Sequence, residues 1–142
     1  MLNTPMPMRH RETEAAVPME TAPEAVRRVL GLFRDGRPAA TFPLEIRFVR
    51  GDRSWLSPAY GGDTCQIGAY STSNADCSPY FASFWQVMRD LGARPHWGKE
   101  LDHTAAELAG LYPRWQDFLS LRDELDPDRV FGGDFHRRLL GS

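Results

Sequence analysis

The spacing of apolar residues predicts strands and helices in alternation over the first 97 residues. Segments 9–17, 42–50, 64–71 and 93–97 have the alternation or short length typical of strands. Two amphipathic helices lie between them, with their apolar residues at helical spacing: Val26, Val29, Leu30 and Phe33 in the first, and Phe81, Phe84, Trp85, Met88 and Leu91 in the second. The order strand, helix, strand, strand, helix, strand predicts an α+β fold of the ferredoxin-like split βαβ type. Its antiparallel sheet would carry both helices on one face.

The predicted helix ends rest on capping and stop signals. Thr21 is the expected N-cap of the first helix, which Gly36 and Pro38 end. The second helix opens at Cys77 or Ser78 and closes at Gly92.

The remainder of the chain, 101–142, is predicted to be helical. Thr104 caps a short helix, Pro113 starts another that Asp126-Pro127 breaks, and a last one covers 134–140. These helices are amphipathic and therefore need a surface to pack on. Residues 1–8, rich in Pro and Met, are predicted to be disordered.

The second predicted strand, FPLEIRFVR, carries the first candidate site. Leu44, Ile46 and Phe48 share one face, which the two helices should cover, and Glu45 and Arg47 project together from the other face, about 7 Å apart. One interpretation is a solvated polar face with a weak ion pair. The other is a ligand-binding floor, because a carboxylate accepts hydrogen bonds from hydroxyls and a guanidinium holds an oxygen or developing negative charge.

Two further runs are candidates. RPHWGK, at 94–99, places an imidazole, an indole, a glycine and an ammonium at a strand end, and its simplest interpretation puts Trp97 in the core and Lys99 in solvent. WLSPAYG, at 55–61, reads as a packed loop with two aromatic residues and a hydroxyl.

Composition and charge argue against several classes of protein. The 142 residues suffice for one domain, and 17 basic against 19 acidic residues give a net charge of −2, without the basic excess expected of a nucleic-acid or anionic-membrane binder. We find no apolar run near the roughly 20 residues of a membrane span, and no apolar core of a signal peptide at the N-terminus. Cys65 and Cys77 are too few for a disulfide scaffold, so a cytoplasmic protein with free thiols is expected.

Other chemistry is weakly supported. His96 and His103 have no nearby third ligand, so no metal site is predicted, and no histidine can be paired with either cysteine as a nucleophile. Glycine-rich phosphate-binding motifs are absent from the sequence.

The runs LEIRFV, WLSPAYGGDT and RPHWGK, followed by ELAGLYPRWQDFLSLRDELDPDRVF, resemble the C-terminal part of the sugar-1,4-lactone oxidases. That group includes D-arabinono-1,4-lactone oxidase, L-gulonolactone oxidase and the bacterial alditol oxidases, flavoproteins of the vanillyl-alcohol oxidase type. The resemblance covers residues 10–140. It implies that 9–100 is part of the substrate-binding cap domain and 101–142 the C-terminal helical segment, with the FAD-binding domain absent from this sequence.

The resemblance also implies roles for individual residues. Glu45, Arg47 and Lys99 would line a substrate pocket against the flavin, and His96 would orient the loop at this substrate site. Glu45 would bind sugar hydroxyls, while Arg47 and Lys99 would act in catalysis by favouring the alkoxide-like substrate, and Lys99 would contact the FAD cofactor. The implied reaction is hydride transfer from a carbinol carbon of a sugar lactone or polyol to FAD, with reoxidation by O2 giving H2O2.

Departures from the family pattern affect the expectations. Gly62 stands where an arginine is expected, and Gly68, Ala69 and Tyr70 stand where relatives carry histidine or aromatic residues.

We expect the chain to be inactive without a FAD domain, which would come from a separate chain or a neighbouring reading frame. We also expect it to self-associate through exposed apolar surface that includes Trp55, Tyr60, Trp97, Trp115 and Phe131. Some members of the group associate with membranes. The alternative is a non-catalytic remnant, or a polyol- or protein-binding module of the same fold.

Overall fold

The computed structural model describes residues 9–34, 43–72 and 76–141. Residues 1–8, Gly36 and Pro38, for which the sequence carries predictions, lie outside these ranges. The elements in chain order are β1 (His10–Pro18), α1 (Ala22–Arg34), β2 (Glu45–Val49), β3 (Thr64–Thr72), α2 (Ser78–Asp90), β4 (Arg94–Pro95), α3 (Ala105–Leu111), α4 (Trp115–Leu125) and α5 (Asp134–Leu140).

The described strands form one antiparallel sheet in the order β2-β3-β1-β4. This is the strand order of the ferredoxin-like arrangement, and the α+β prediction is confirmed. The long central strands, β1 and β3, pair over nine residues, from His10 opposite Thr72 to Pro18 opposite Thr64. Helices α1 and α2 pack against each other; α1 also packs against both central strands, and α2 packs against β1.

The main core lies between the sheet and α1 and α2. Alternate residues of the central strands enter it, with Ala15, Val17, Cys65, Ile67 and Ala69 fully buried. From α2, Phe84 and Met88 are also fully buried, as the apolar stripe predicts. The indole of Trp85 donates a hydrogen bond of 2.8 Å to the buried Thr13 hydroxyl, so its polar atom is satisfied within the core.

The edge strand β2 departs from the prediction. Ile46 and Phe48 do lie on the helix face, because they pair with the buried Ile67 and Cys65, and cross-strand partners share a face. The helices do not cover them, however, and 42% of Ile46 and 71% of Phe48 is exposed. The reason is that β2 is an edge strand, whereas α1 and α2 pack over the central part of the sheet.

Most helix ends follow the predicted signals. Gly92 has φ +63° and donates its N–H to Arg89 at the end of α2, while the Thr104 and Glu107 side chains form a capping box at the start of α3. Thr21 is not an N-cap. It ends a short 3-10 turn, and its hydroxyl donates to the Pro18 carbonyl instead of accepting from the helix.

The C-terminal helices pack on a second apolar cluster. Leu108, Tyr112, Trp115 and Leu139 are buried in it, and Trp97 and Leu56 pack against it. The prediction that Trp115 lacks cover is therefore wrong, and Trp55, Tyr60 and Trp97 are half-buried. Phe131 is 84% exposed, as expected. The stacked rings of Trp97 and Trp115 fasten the helical segment to the turn after β4.

Candidate functional site

A row of polar side chains covers the face of the sheet opposite the helices. Strand alternation turns Glu12 and Glu14 of β1 to this side, since their neighbours Thr13 and Ala15 point into the core. The strand register then places Glu14 and Glu45 on either side of Gly68, and Arg47 beside Gln66. We call this surface the open face. Its side chains are those of Glu12, Glu14, Glu45, Arg47, Gln66, Tyr70 and Lys99.

Arg47 is fixed by several partners. Its guanidinium donates to a carboxylate oxygen of Glu14 and, at 3.0 Å, to the Gln66 side-chain oxygen, and its Nε lies 3.6 Å from a Glu45 oxygen. Partial burial opposes the charge of Arg47, but the hydrogen bond to Glu14 and the charges of Glu14 and Glu45 outweigh it, so the pKa of Arg47 is raised. The Glu14 side chain is only 3% exposed, whereas that of Arg47 is 44% exposed. Arg47 thus neutralises a buried carboxylate while keeping its outer side in solvent.

Glu45 has a tyrosine partner on the next strand. The Tyr70 hydroxyl donates a hydrogen bond to a Glu45 carboxylate oxygen. Burial first, and then Glu45 together with the charges of Glu12 and Glu14, raises the pKa of Tyr70, so its phenol stays protonated. Gly68 leaves room for the ring, because a Cβ at Gly68 would lie 3.0 Å from Tyr70 Cε2 and 3.1 Å from its hydroxyl oxygen.

Lys99 reaches the open face through a tight turn. The His96 carbonyl accepts a hydrogen bond of 3.1 Å from the Lys99 N–H, and the Gly98 N–H donates 3.1 Å to Nδ1 of His96. The turn directs the Lys99 ammonium onto a Glu12 carboxylate oxygen, with 22% of the side chain exposed. Lys99 therefore lies on the same side of the sheet as Glu45 and Arg47, and the His96 imidazole shapes the turn that puts it there.

The WLSPAYG loop braces this turn. Asp52 accepts hydrogen bonds from the Ser54 N–H at 2.8 Å and from the Ser57 hydroxyl at 2.5 Å. The Trp97 indole in turn donates to the Leu56 carbonyl at 2.8 Å. A further link comes from Arg94, which donates to the Tyr60 carbonyl at 2.8 Å. The loop thus acts as scaffold, in agreement with its interpretation as a packed loop.

Charge on the open face is nearly balanced. Three carboxylates, Glu12, Glu14 and Glu45, face two cations, Arg47 and Lys99, which leaves one negative charge when all five are ionised. Arg47 and Lys99 keep donors beyond those engaged in these contacts, and the exposed half of Glu45 keeps acceptor positions. Such a surface can donate to and accept from a ligand with several hydroxyls. Five cavities of about 210–650 Å³ in the described ranges are lined by other residues.

The remaining candidate residues are not brought together. His103 is 1% exposed, packs edge-on against Trp85, and its ring nitrogens have no hydrogen-bond partner within the described residues. Cys65 and Cys77 are buried free thiols, and burial raises the pKa of both. No group of three metal-ligating side chains occurs among the residues described.

Four residues of the open face were missed by sequence reasoning: Glu12, Glu14, Gln66 and Tyr70. For the two glutamates the sequence contains a signal, because segment 9–17 is predicted to be a strand and residues 12 and 14 of a strand share a face. The neighbouring strands that make Glu14 a buried partner of Arg47 could not be deduced from that segment alone.

The sequence matches a known protein family over almost its whole length. A sequence profile described as D-arabinono-1,4-lactone oxidase matches residues 1–139. The chain belongs to the D-arabinono-1,4-lactone oxidase family. This agrees with the resemblance carried by the LEIRFV and RPHWGK runs, which contain Glu45, Arg47 and Lys99.

Individual relatives in the family are much longer than this chain. The sequence is 45% identical over 134 residues to L-gulono-1,4-lactone dehydrogenase of Mycobacterium tuberculosis, covering 94% of this chain and 31% of the relative. It is 31% identical over 121 residues to bovine L-gulonolactone oxidase, covering 82% and 28%, and 36% identical over 97 residues to a Streptomyces alditol oxidase, covering 68% and 23%. The chain thus spans about a third or less of these relatives. In the ranges the structure describes, we find no helix of the length and apolarity needed to cross a bilayer.

Proposed function

We propose that this chain forms the substrate-binding part of a FAD-dependent oxidoreductase that acts on a sugar lactone or an alditol, with the open face as its substrate floor. The observation that carries the proposal is the arrangement of Glu45, Arg47 and Lys99 on one face, each held by a neighbouring side chain. Relatives named for gulonolactone and alditol chemistry support this substrate class.

The charge on the open face favours a neutral substrate. Carboxylates such as Glu45 accept hydrogen bonds from sugar hydroxyls without first having to lose a partner, since half of the Glu45 side chain is exposed. One excess negative charge repels an anion, and a lactone is neutral whereas its ring-opened acid is an anion. We therefore expect the lactone or alditol to bind in preference to the sugar acid.

Arg47 and Lys99 supply positive charge where an alcohol is oxidised. Their side chains are preorganised by Glu14 and Glu12, so they need little rearrangement as the substrate oxygen gains negative character. Their spare donors could also hydrogen-bond a flavin, and Lys99 is the residue that would make that contact. FAD, when bound, supplies the hydride acceptor.

The test is a chimera with the mycobacterial relative. The matched 134 residues of L-gulono-1,4-lactone dehydrogenase are replaced by the corresponding part of this chain, and flavin content and lactone turnover are measured. We expect a flavin-containing protein with turnover. Arg47→Met or Lys99→Met should lower kcat more than they raise KM, because their charges act most strongly as negative charge develops.

The control is Arg27→Met, which removes an exposed arginine paired with Glu24 on α1 and should leave turnover unchanged. A folded, flavin-loaded chimera without turnover on lactones and alditols would contradict the proposal and favour a non-catalytic binding module. Equal turnover of the Lys99→Met and Arg27→Met chimeras would remove Lys99 from the site.

A further inference from the structure

The outer edge of the sheet has features that suit pairing with an identical strand. Strand β2 is paired with β3 on one side, and within the described residues no strand pairs with its other side. Its backbone groups along that edge have no strand partner among the described residues, and such groups can pair with a further strand. On its helix face, Phe48 and Ile46 present exposed apolar surface that α1 and α2 do not cover.

We propose that β2 pairs antiparallel with β2 of a second copy of this chain, about a twofold axis at Ile46. The sequence Leu44-Glu45-Ile46-Arg47-Phe48 is self-complementary in this register. Ile46 meets its own copy, Glu45 meets Arg47 of the other copy, and Leu44 meets Phe48. Cross-strand opposite charges and apolar pairs stabilise a sheet, and each pair occurs twice about the axis.

Other registers are less favourable for physical reasons. Pairing centred on Arg47 or on Glu45 sets like charges directly opposite each other, which destabilises a sheet. A shift by one residue turns the apolar face of one β2 to the polar face of the other. Of the registers centred on Glu45, Ile46 or Arg47, the one at Ile46 therefore pairs opposite charges and keeps the apolar faces together.

Within the described residues, the helices that pack on the sheet leave room for this dimer. Helices α1 and α2 pack over β1 and β3, so a second β2 can approach without meeting a helix of the first copy. The joined sheet has eight strands, with the four Ile46 and Phe48 side chains gathered on the helix side around the axis. The open faces of the two copies then form one continuous polar surface. The pairing involves Glu45 and Arg47 of the proposed substrate floor, but it is argued from the edge position and sequence of β2, and its test does not measure oxidoreductase activity.

Cysteine cross-linking tests the pairing and its register. In the proposed register the two Ile46 Cα atoms lie about 4.5–5.5 Å apart, a distance that a disulfide spans. Phe48 lies four residues, about 13 Å, from Phe48 of the second copy. Under mild oxidation, Ile46→Cys should therefore form a disulfide dimer at least tenfold faster than Phe48→Cys. A mixture of Leu44→Cys and Phe48→Cys should form the mixed disulfide.

The unmodified chain serves as the control, since Cys65 and Cys77 are buried. It should show no disulfide dimer, yet should dimerise reversibly in light scattering as its concentration rises. That measurement does not depend on whether a variant folds. A strict monomer at millimolar concentration would overturn the proposal, as would Phe48→Cys cross-linking as fast as Ile46→Cys.

Discussion

Removing the arginine that neutralises Glu14 should destabilise the fold more than removing an arginine from a surface ion pair. The perturbation is Arg47→Met, which keeps the length of the side chain and deletes its charge. Glu14, 3% exposed, then stays in the sheet without its cationic partner. Losing one member of a fully buried pair costs about 3–5 kcal/mol.

The loss of stability expected for Arg47→Met is smaller than that for a fully buried pair. Arg47 is 44% exposed, so water can reach the space that its guanidinium vacates and solvate part of the Glu14 carboxylate. We expect a loss of about 2–3 kcal/mol in the free energy of unfolding, equivalent to about 8–12 °C in Tm for a domain of this size. The matched control is Arg27→Met, whose partner Glu24 is exposed, with an expected loss of about 0.5 kcal/mol or less.

Chemical denaturation of four proteins measures the coupling. They are the unmodified chain, Arg47→Met, Glu14→Gln and the double variant. Because Glu14→Gln removes the charge that Arg47 balances, the double variant should be more stable than Arg47→Met alone. The reasoning is refuted if the two single losses simply add, or if Arg47→Met costs no more than Arg27→Met.

Three further predictions concern other parts of the fold. Burial, followed by the charge of Arg89, lowers the pKa of His103, so the unfolded chain takes up the proton more readily than the folded chain. The free energy of unfolding should therefore fall as the pH drops below about 6.5. In pH-dependent melting, His103→Leu should flatten this decline. Gly62→Arg should leave Tm within about 2 °C, because a Cβ there meets nothing within 4 Å; a large drop would contradict this open space. Phe84→Ala should cost about 3–5 kcal/mol in denaturant titration, because the ring is fully buried, and a loss below 1 kcal/mol would show that the core collapses around it.

The face to which each side chain of a strand points was predictable from the sequence. Whether a helix buries that face was not. The period of two in FPLEIRFVR places Glu45 and Arg47 on one face and Ile46 and Phe48 on the other, and the register with β3 agrees. Whether a helix covers Phe48 depends on the strand order, which puts β2 at the edge. That order is set by contacts between distant segments.

The direction of Lys99 shows a second limit. Alternation ends with β4 at Pro95, so the side chain depends on the turn formed by His96 and Gly98. Arg94 and Trp97 hold that turn against the loop at 55–61, through contacts with residues 34 and 41 positions away along the chain. A motif such as RPHWGK can therefore mark a site, while the orientation of its lysine is decided by the segments that brace it.

Glu14 links the stability of the sheet to the proposed chemistry. A buried carboxylate in the central strand of a sheet is unfavourable unless a cation approaches it, and Arg47 is the cation that does so here. The same contact fixes the guanidinium beside Glu45 with its outer side exposed. An arginine held in this way needs little reorganisation when a ligand oxygen becomes negative, which is the condition for electrostatic catalysis. The residue that disfavours folding when unpaired is thus the one that positions the proposed catalytic charge.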